Sequence, residues 1–345
     1  MTILVKRTTL VLLLLGLVSV VTVSYVAFAP PGGIIGTTAG ANCMLSLAQQ
    51  VSLPPGPGRI DHMDVDAARG RLYVAMLAND SLAVVDLNQG NFVRSVTGLK
   101  TPQGVLFLPS VNRLLITNAG DGTVDILNAT NLETAKVVQL SSDADNIRYD
   151  AASGLIYVGY GHGGIASLNA TTGLVVSSAS LVGHPESFQL DRNDSKVFVN
   201  VPEESHIAVI DRATQSIVGI WPLPINVSRN FPMALDEIRH RLFVGTRQPA
   251  EVLVYDDLSG RLVTTVGIAQ GPDDLYYSSG CIYASSSQGY VYAVKQDDAD
   301  HYEVAQTIPT GVGAGTSLFV PQSNRLYVAV PQSTEGPPQV YVYQH

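Results

Sequence analysis

The sequence predicts an all-β fold, a seven-bladed β-propeller of four-stranded antiparallel blades preceded by one N-terminal transmembrane or signal helix. Three observations carry this expectation. One short block recurs seven times, 40–45 residues apart. All recurrences but the last contain four short runs in which Val, Ile, Leu and Tyr alternate with polar residues, separated by Asp, Asn, Gly and Ser turns, which is the pattern of four strands. A single uncharged apolar run stands ahead of the array. A period of this length with four strands per unit is a propeller signature, and the 3.5–3.6 period of a helical array is absent.

The apolar run spans Thr8 to Ala29, behind Lys6 and Arg7. Its 22 residues would form a helix of about 33 Å, matching a bilayer core of about 30 Å. A cleaved signal has a shorter apolar core, and although Ala27-Phe28-Ala29 has the form of a cleavage site, Pro30 and Pro31 follow it directly. The run is therefore read as an anchor (residues 1–29), with a cleaved signal as the alternative. Lys6 and Arg7 are the only nearby cations, which places the N-terminus in the cytoplasm and the rest outside. The partner at this end is the membrane. Residues 30–44, rich in Gly, Pro and Thr, read as a linker.

The repeat array occupies 45–345. Its block reads Arg71-Leu-Tyr-Val74, Arg113-Leu-Leu-Ile116, Leu155-Ile-Tyr-Val158, Lys196-Val-Phe-Val199, Arg241-Leu-Phe-Val244, Cys281-Ile-Tyr-Ala284 and Arg325-Leu-Tyr-Val328. A second run follows and ends on a polar residue at Asp86, Asn128, Asn169, Asp211, Asp256, Lys295 and Gln344. In the first unit the four strands A to D fall near 62–66, 72–76, 82–86 and 92–96. The seventh unit lacks a strand D. Leu45–Leu53 resembles the strand D segments elsewhere, so residues 45–53 are expected to complete blade seven and remove an open edge.

Taken together, Pro102-Gln-Gly104, Arg71-Leu-Tyr-Val74, Ile207-Ala-Val-Ile-Asp211 and Thr172-Gly-Leu-Val-Val176 resemble the YVTN-type β-propeller repeat of surface-layer and exported YncE-like proteins. The resemblance implies an exported or surface propeller and leaves the activity open, because propellers host unrelated functions. The third unit, with Gly161-His-Gly-Gly164, and the sixth, with no Asp after strand C, depart most from the repeat.

In a propeller the D–A and B–C connections share one face. With the linker leaving from the opposite face, the D–A/B–C face points outward. The residues leading into each strand A then approach the mouth of the central channel: Asp61, His62, Gln103, Asp145, Asn146, Glu186, Asp273 and Asp274 are the candidate ligand-binding residues. Their carboxylates could attract a divalent cation, although Asp and Asn here could equally cap turns. A second group, His162, His184, Glu186 and His206, offers imidazole and carboxylate from neighbouring blades and is a candidate metal site. Asn79, Asn128, Asn169, Asn193 and Asn226 stand in N-x-S/T sequons at expected turns, with ordinary turn chemistry as the alternative. Cys43 and Cys281 fall at the same face of adjacent blades. A disulfide is open to them outside the cytoplasm, and two unpaired thiols are the expected outcome.

Composition narrows the function. The formal charge of -9 disfavours a nucleic-acid partner. No P-loop, dinucleotide fingerprint, haem-attachment or serine-hydrolase motif occurs, so no catalytic residue is assigned and no cofactor is required. The reading is a membrane-tethered extracytoplasmic scaffold for an unidentified protein or small-molecule ligand at the cell surface. The alternative is a metal-assisted, lactonase-like hydrolase or lyase using the outward His and Glu residues.

Overall fold

The computed structural model describes residues 42–334 and 336–345. The expected N-terminal helix lies outside the described residues, and no helix among those described is long and apolar enough to cross a membrane.

The chain forms seven four-stranded antiparallel sheets. Six are built from consecutive strands, beginning with Met63–Asp66, Arg71–Met76, Ser81–Asp86 and Asn91–Thr97 in blade one. Blade seven combines Ser317–Val320, Arg325–Val330 and Gln339–Gln344 with Ser46–Ser52 from the other end of the chain. Val51 lies opposite Val340, and Ser46 opposite Gln344. This pairing closes the ring non-covalently.

The recurring block is strand B of each blade. It is apolar on both faces because strand B lies between two neighbouring sheets: five of the six residues of Arg71–Met76 are buried. Strand D is the outer rim and alternates, as in Asn91–Thr97, where half-buried and exposed positions mix. Among the described residues, buried apolar side chains gather into seven clusters, each drawn from two adjacent blades. The cluster across the seam joins Val51, Leu53, Leu72 and Val74 to Tyr327, Val340 and Val342. Each large apolar side chain buried there contributes about 1.5–3 kcal/mol of transfer free energy.

The polar residue ending strand C is a turn device. Asp86, Asn128, Asn169, Asp211 and Asp256 each accept a hydrogen bond at Oδ1 from a backbone N–H two or three residues on. A residue is inserted between strands C and D in all seven blades, the closing strand included, where the register slips between Leu47 and Gln49. Such bulges add twist to the outermost strand.

The two cysteines, expected to be unpaired, are joined. Cys43 Sγ is bonded to Cys281 Sγ, with Cα atoms 5.5 Å apart and a sequence separation of 238. Cys43 precedes the closing strand instead of starting one, and Cys281 opens strand B of blade six. The sequence could place both residues at one face but could not measure how close they come. The bond attaches the segment ahead of the closing strand to blade six, while that strand itself pairs in blade seven.

Candidate functional site at the channel mouth

The D–A and B–C connections converge on a cavity of about 640 Å³ at one end of the central channel. Asp61, His62, Gln103, Asp145, Asn146, Glu186, Asp273 and Asp274 all line it. A second chamber of about 280 Å³ lies beyond, lined by Asp64, Arg148 and Tyr276 among others. His62, Ser187 and Asp274 border both spaces and so form the waist between them.

One arc of the mouth is charge-balanced. Arg59 Nη2 lies 2.7 Å from Asp61 Oδ2, and His62 Nδ1 lies 2.7 Å from Asp61 Oδ1. On its other side His62 Nε2 is 4.0 Å from Asp274. Burial alone would lower the His62 pKa, but the charge and hydrogen bond of Asp61, with Asp274 and Asp145 behind, outweigh it and hold the imidazole at about 9. Burial likewise pushes Asp274 up to about 6, against the opposing pull of His62 and the Ser317 N–H. Across the mouth, Arg247 pairs with Asp273 and lies over the Phe231 ring at 4.0 Å. Asp273 also accepts a hydrogen bond from Ser287 N, and Asp274 one from Ser317 N. For Asp61, Asp273 and Asp274 the turn-capping alternative therefore describes part of what they do.

The arc from blades three and four is different. Asp143, Asp145 and Glu186 gather about His184, whose Nδ1 lies 3.6 Å from Asp143 Oδ2, and the Arg59 and Arg247 charges also act on Glu186. Asp145 is 5% exposed; its Oδ2 is 3.8 Å from His184 Nε2, and its Oδ1 is buried with no partner. Asn146, 4% exposed, likewise leaves Oδ1 buried and unpartnered. Burial, reinforced by the Asp145 charge, pushes Glu186 up to about 7. Burial would lower His184, but Asp145 and the Gly161 carbonyl raise it to about 9. The hydrogen bond from His184 Nδ1 to Gly161 O, 2.6 Å, sets the ring's orientation. Asp145 is held from behind through its backbone, whose carbonyl accepts the Thr117 hydroxyl. Thr117 Oγ1 also accepts Gly104 N, and a Cβ on Gly104 would lie 2.5 Å from Asp145 O, so only glycine fits there.

Of the four candidate metal residues, His184 and Glu186 meet at the mouth, joined by Asp145 in one group whose ligand atoms lie within 4.8 Å of one another. His162 is exposed, and His206 is half-buried at the start of strand C of blade four; neither lines the cavity. Sequence reasoning missed Arg59, Asp143, Phe231 and Arg247. Arg59 and Asp143 each stand two residues before a residue that was selected, and that proximity was the available signal. Arg247 had none: it lies at the end of Arg241–Gln248, a strand B two residues longer than that of blade one.

Among the sequons, Asn79, Asn193 and Asn226 are exposed, whereas Asn128 and Asn169 are half-buried with Oδ1 engaged in their own turns.

No protein-family model matches the chain, and no curated protein matches it. Solved structures match in large number, 1806 chains, which marks a widespread architecture. One is hydrazine synthase from Kuenenia stuttgartiensis, at 15% identity and a TM-score of 0.70, covering 91% of this chain and 99% of that one. At such identity the likeness is one of fold. The chain is a seven-bladed β-propeller with a charged pocket at its channel mouth.

Proposed function

We propose that this propeller is an extracytoplasmic, membrane-tethered binding scaffold that captures a small cationic or hydrogen-bond-donating ligand at its channel mouth. One observation carries the reading: the blade three–four arc holds buried acceptors without donors, Asp145 Oδ1 and Asn146 Oδ1, beside the carboxylates of Asp143 and Glu186. Unpaired buried acceptors are costly, and a ligand that supplies positive charge or N–H groups relieves that cost. The remaining charges of the mouth already neutralise one another and frame the pocket.

Location outside the cytoplasm is supported by the Cys43–Cys281 disulfide, since such bonds persist in oxidising compartments. Tethering rests on the apolar run from Thr8 to Ala29. The YVTN-type kinship rests on the recurring block, which forms strand B of every blade. The test is a melting-temperature screen of mono- and diamines and divalent cations on the wild type and on Asp145→Asn and Glu186→Gln. Stabilisation of the wild type that both substitutions abolish is expected. No stabilisation by any compound, or stabilisation indifferent to both substitutions, would overturn the reading.

The catalytic alternative keeps only His184 and Glu186 of its four residues at the cavity. Turnover of simple lactones or esters that is lost in His184→Gln would favour it.

A further inference from the structure

We propose that Asp145, His184 and Glu186 bind a divalent transition-metal ion, of the class that mixed carboxylate–imidazole donors select, such as Zn²⁺ or Mn²⁺. The inference rests on the channel mouth being the functional site, and it names the ligand's chemistry. Four observations converge on it.

The first is spacing. One oxygen from each carboxylate and one ring nitrogen all lie within 4.8 Å of one another. An ion bonded at about 2.0–2.2 Å to each donor needs such separations to close by only an ångström or so, within the reach of side-chain rotation.

The second is the orientation of the imidazole. His184 donates Nδ1–H to the Gly161 carbonyl at 2.6 Å, which leaves Nε2, turned toward Asp145, as the nitrogen an ion would take by displacing its proton. A backbone carbonyl that fixes the tautomer through the far nitrogen is the usual outer support of a metal-bound histidine.

The third is the unsatisfied acceptor. Asp145 is 5% exposed and its Oδ1 has no partner, and Asn146 presents a second such oxygen on the adjacent residue. Neither Arg59 nor Arg247 fills this role, because each is paired within its own arc, to Asp61 and to Asp273.

The fourth is charge. With the His184 Nε2 proton displaced by the ion, two carboxylates and an imidazole would supply two negative charges against a dication. This donor set is mixed nitrogen and oxygen, which suits Zn²⁺ or Mn²⁺ over Mg²⁺ and Ca²⁺, whose sites are built from oxygen. The other carboxylate–histidine pair of the mouth, Asp61 with His62, is already closed by Arg59 and offers no comparable opening.

The test uses the full-length protein, stripped with chelator and dialysed against Zn²⁺ or Mn²⁺ alone, with bound metal counted by elemental analysis. One ion per chain is expected, with X-ray absorption at the Zn edge recording one imidazole among the ligands. Asp145→Asn, Glu186→Gln and His184→Gln should each weaken binding by about tenfold or more. His301→Gln, at an exposed histidine far along the chain in blade six, should leave it unchanged. The circular-dichroism melt of each variant checks folding, and the near-isosteric Asn and Gln changes guard against collapse of the site. Less than one ion per chain at saturating metal overturns the proposal. So does metal retained in the Asp145→Asn and Glu186→Gln variants, or Ca²⁺ and Mg²⁺ bound as tightly as Zn²⁺ and Mn²⁺. If the amine screen succeeds while metal binding fails, the binding reading stands and the metal assignment alone falls.

Discussion

His184 Nε2 faces Asp145 Oδ2 at 3.8 Å, while the opposite nitrogen of the same ring is tied to the Gly161 carbonyl at 2.6 Å. The ring is thus held in place by backbone from blade three and turned toward a carboxylate of the same blade, though His184 itself leads into blade four. This relationship separates the two halves of the mouth. Elsewhere around the cavity each buried carboxylate has found a guanidinium, an imidazole or an amide N–H. Here Asp143 and Asp145 share one imidazole, and the buried Asp145 Oδ1 and Asn146 Oδ1 have no donor.

The waist residue His62 predicts a pH dependence of stability. Its pKa is raised to about 9 from the ordinary 6.5. A raised folded-state value means the stabilisation is complete below about pH 6.5 and is lost as pH rises through 9. The expected contribution is about 2 kcal/mol, less than the full shift implies because His62 is not wholly buried. Urea melts at pH 6 and pH 9.5 should differ by about that amount more in the wild type than in His62→Gln. Equal differences in the two proteins would remove His62 from this role.

Breaking the disulfide should loosen the segment ahead of the closing strand. Cys281→Ser is expected to lower stability by about 2–4 kcal/mol. Reductant should lower the melting temperature of the wild type and leave the variant unmoved. A Cys43–Cys281 peptide should appear in a non-reducing digest.

The closing strand should control the integrity of the whole ring. Val51 is fully buried in the cluster that spans blades seven and one. Val51→Ala removes two methyl-sized groups and leaves a cavity, which should cost about 2 kcal/mol. Hydrogen exchange should accelerate first in Ser46–Ser52 and Gln339–Gln344. Acceleration confined to a distant blade would contradict ring closure as the weak point.

Gly315 tests the frame of the pocket. A Cβ there would lie 2.3 Å from Asp273 Oδ2. Gly315→Ala should therefore displace Asp273 from Arg247 and from Ser287 N, at a cost of about 1–3 kcal/mol. Binding of cations at the blade three–four arc should weaken less than in Asp145→Asn, because Gly315 borders the balanced side. Loss of binding greater than that of Asp145→Asn would place the ligand elsewhere in the mouth.

The fold was legible because the physics repeats. Each strand B lies between two neighbouring sheets, so seven segments like Arg71–Met76 had to be apolar on both faces, and seven similar blocks resulted. Ser46–Ser52 was legible as a rim strand because its exposed and buried positions mix like those of Thr134–Gln139. The mouth residues were legible by their place before strand A, a place that faces the axis in every blade. What was hidden depended on lateral distance. His162 and His206 share the outward face with His184 but lie away from the cavity, and a linear pattern does not report radius. Arg247 reaches the mouth because its strand is lengthened locally, which no repeat position encodes. Partnering was hidden too: Asp61 and Asp145 occupy the same repeat position, yet only Asp61 has an arginine two residues before it.

The blade three–four side of the mouth is the proposed binding site for positive charge. A crystal structure of the full-length protein grown with Mn²⁺ or Zn²⁺, with anomalous-difference density recorded at the metal's absorption edge, tests it most directly. One strong peak bonded to Asp145, His184 Nε2 and Glu186 is expected. A metal-saturated crystal whose peaks lie only at surface histidines such as His301, with this arc empty, would contradict it.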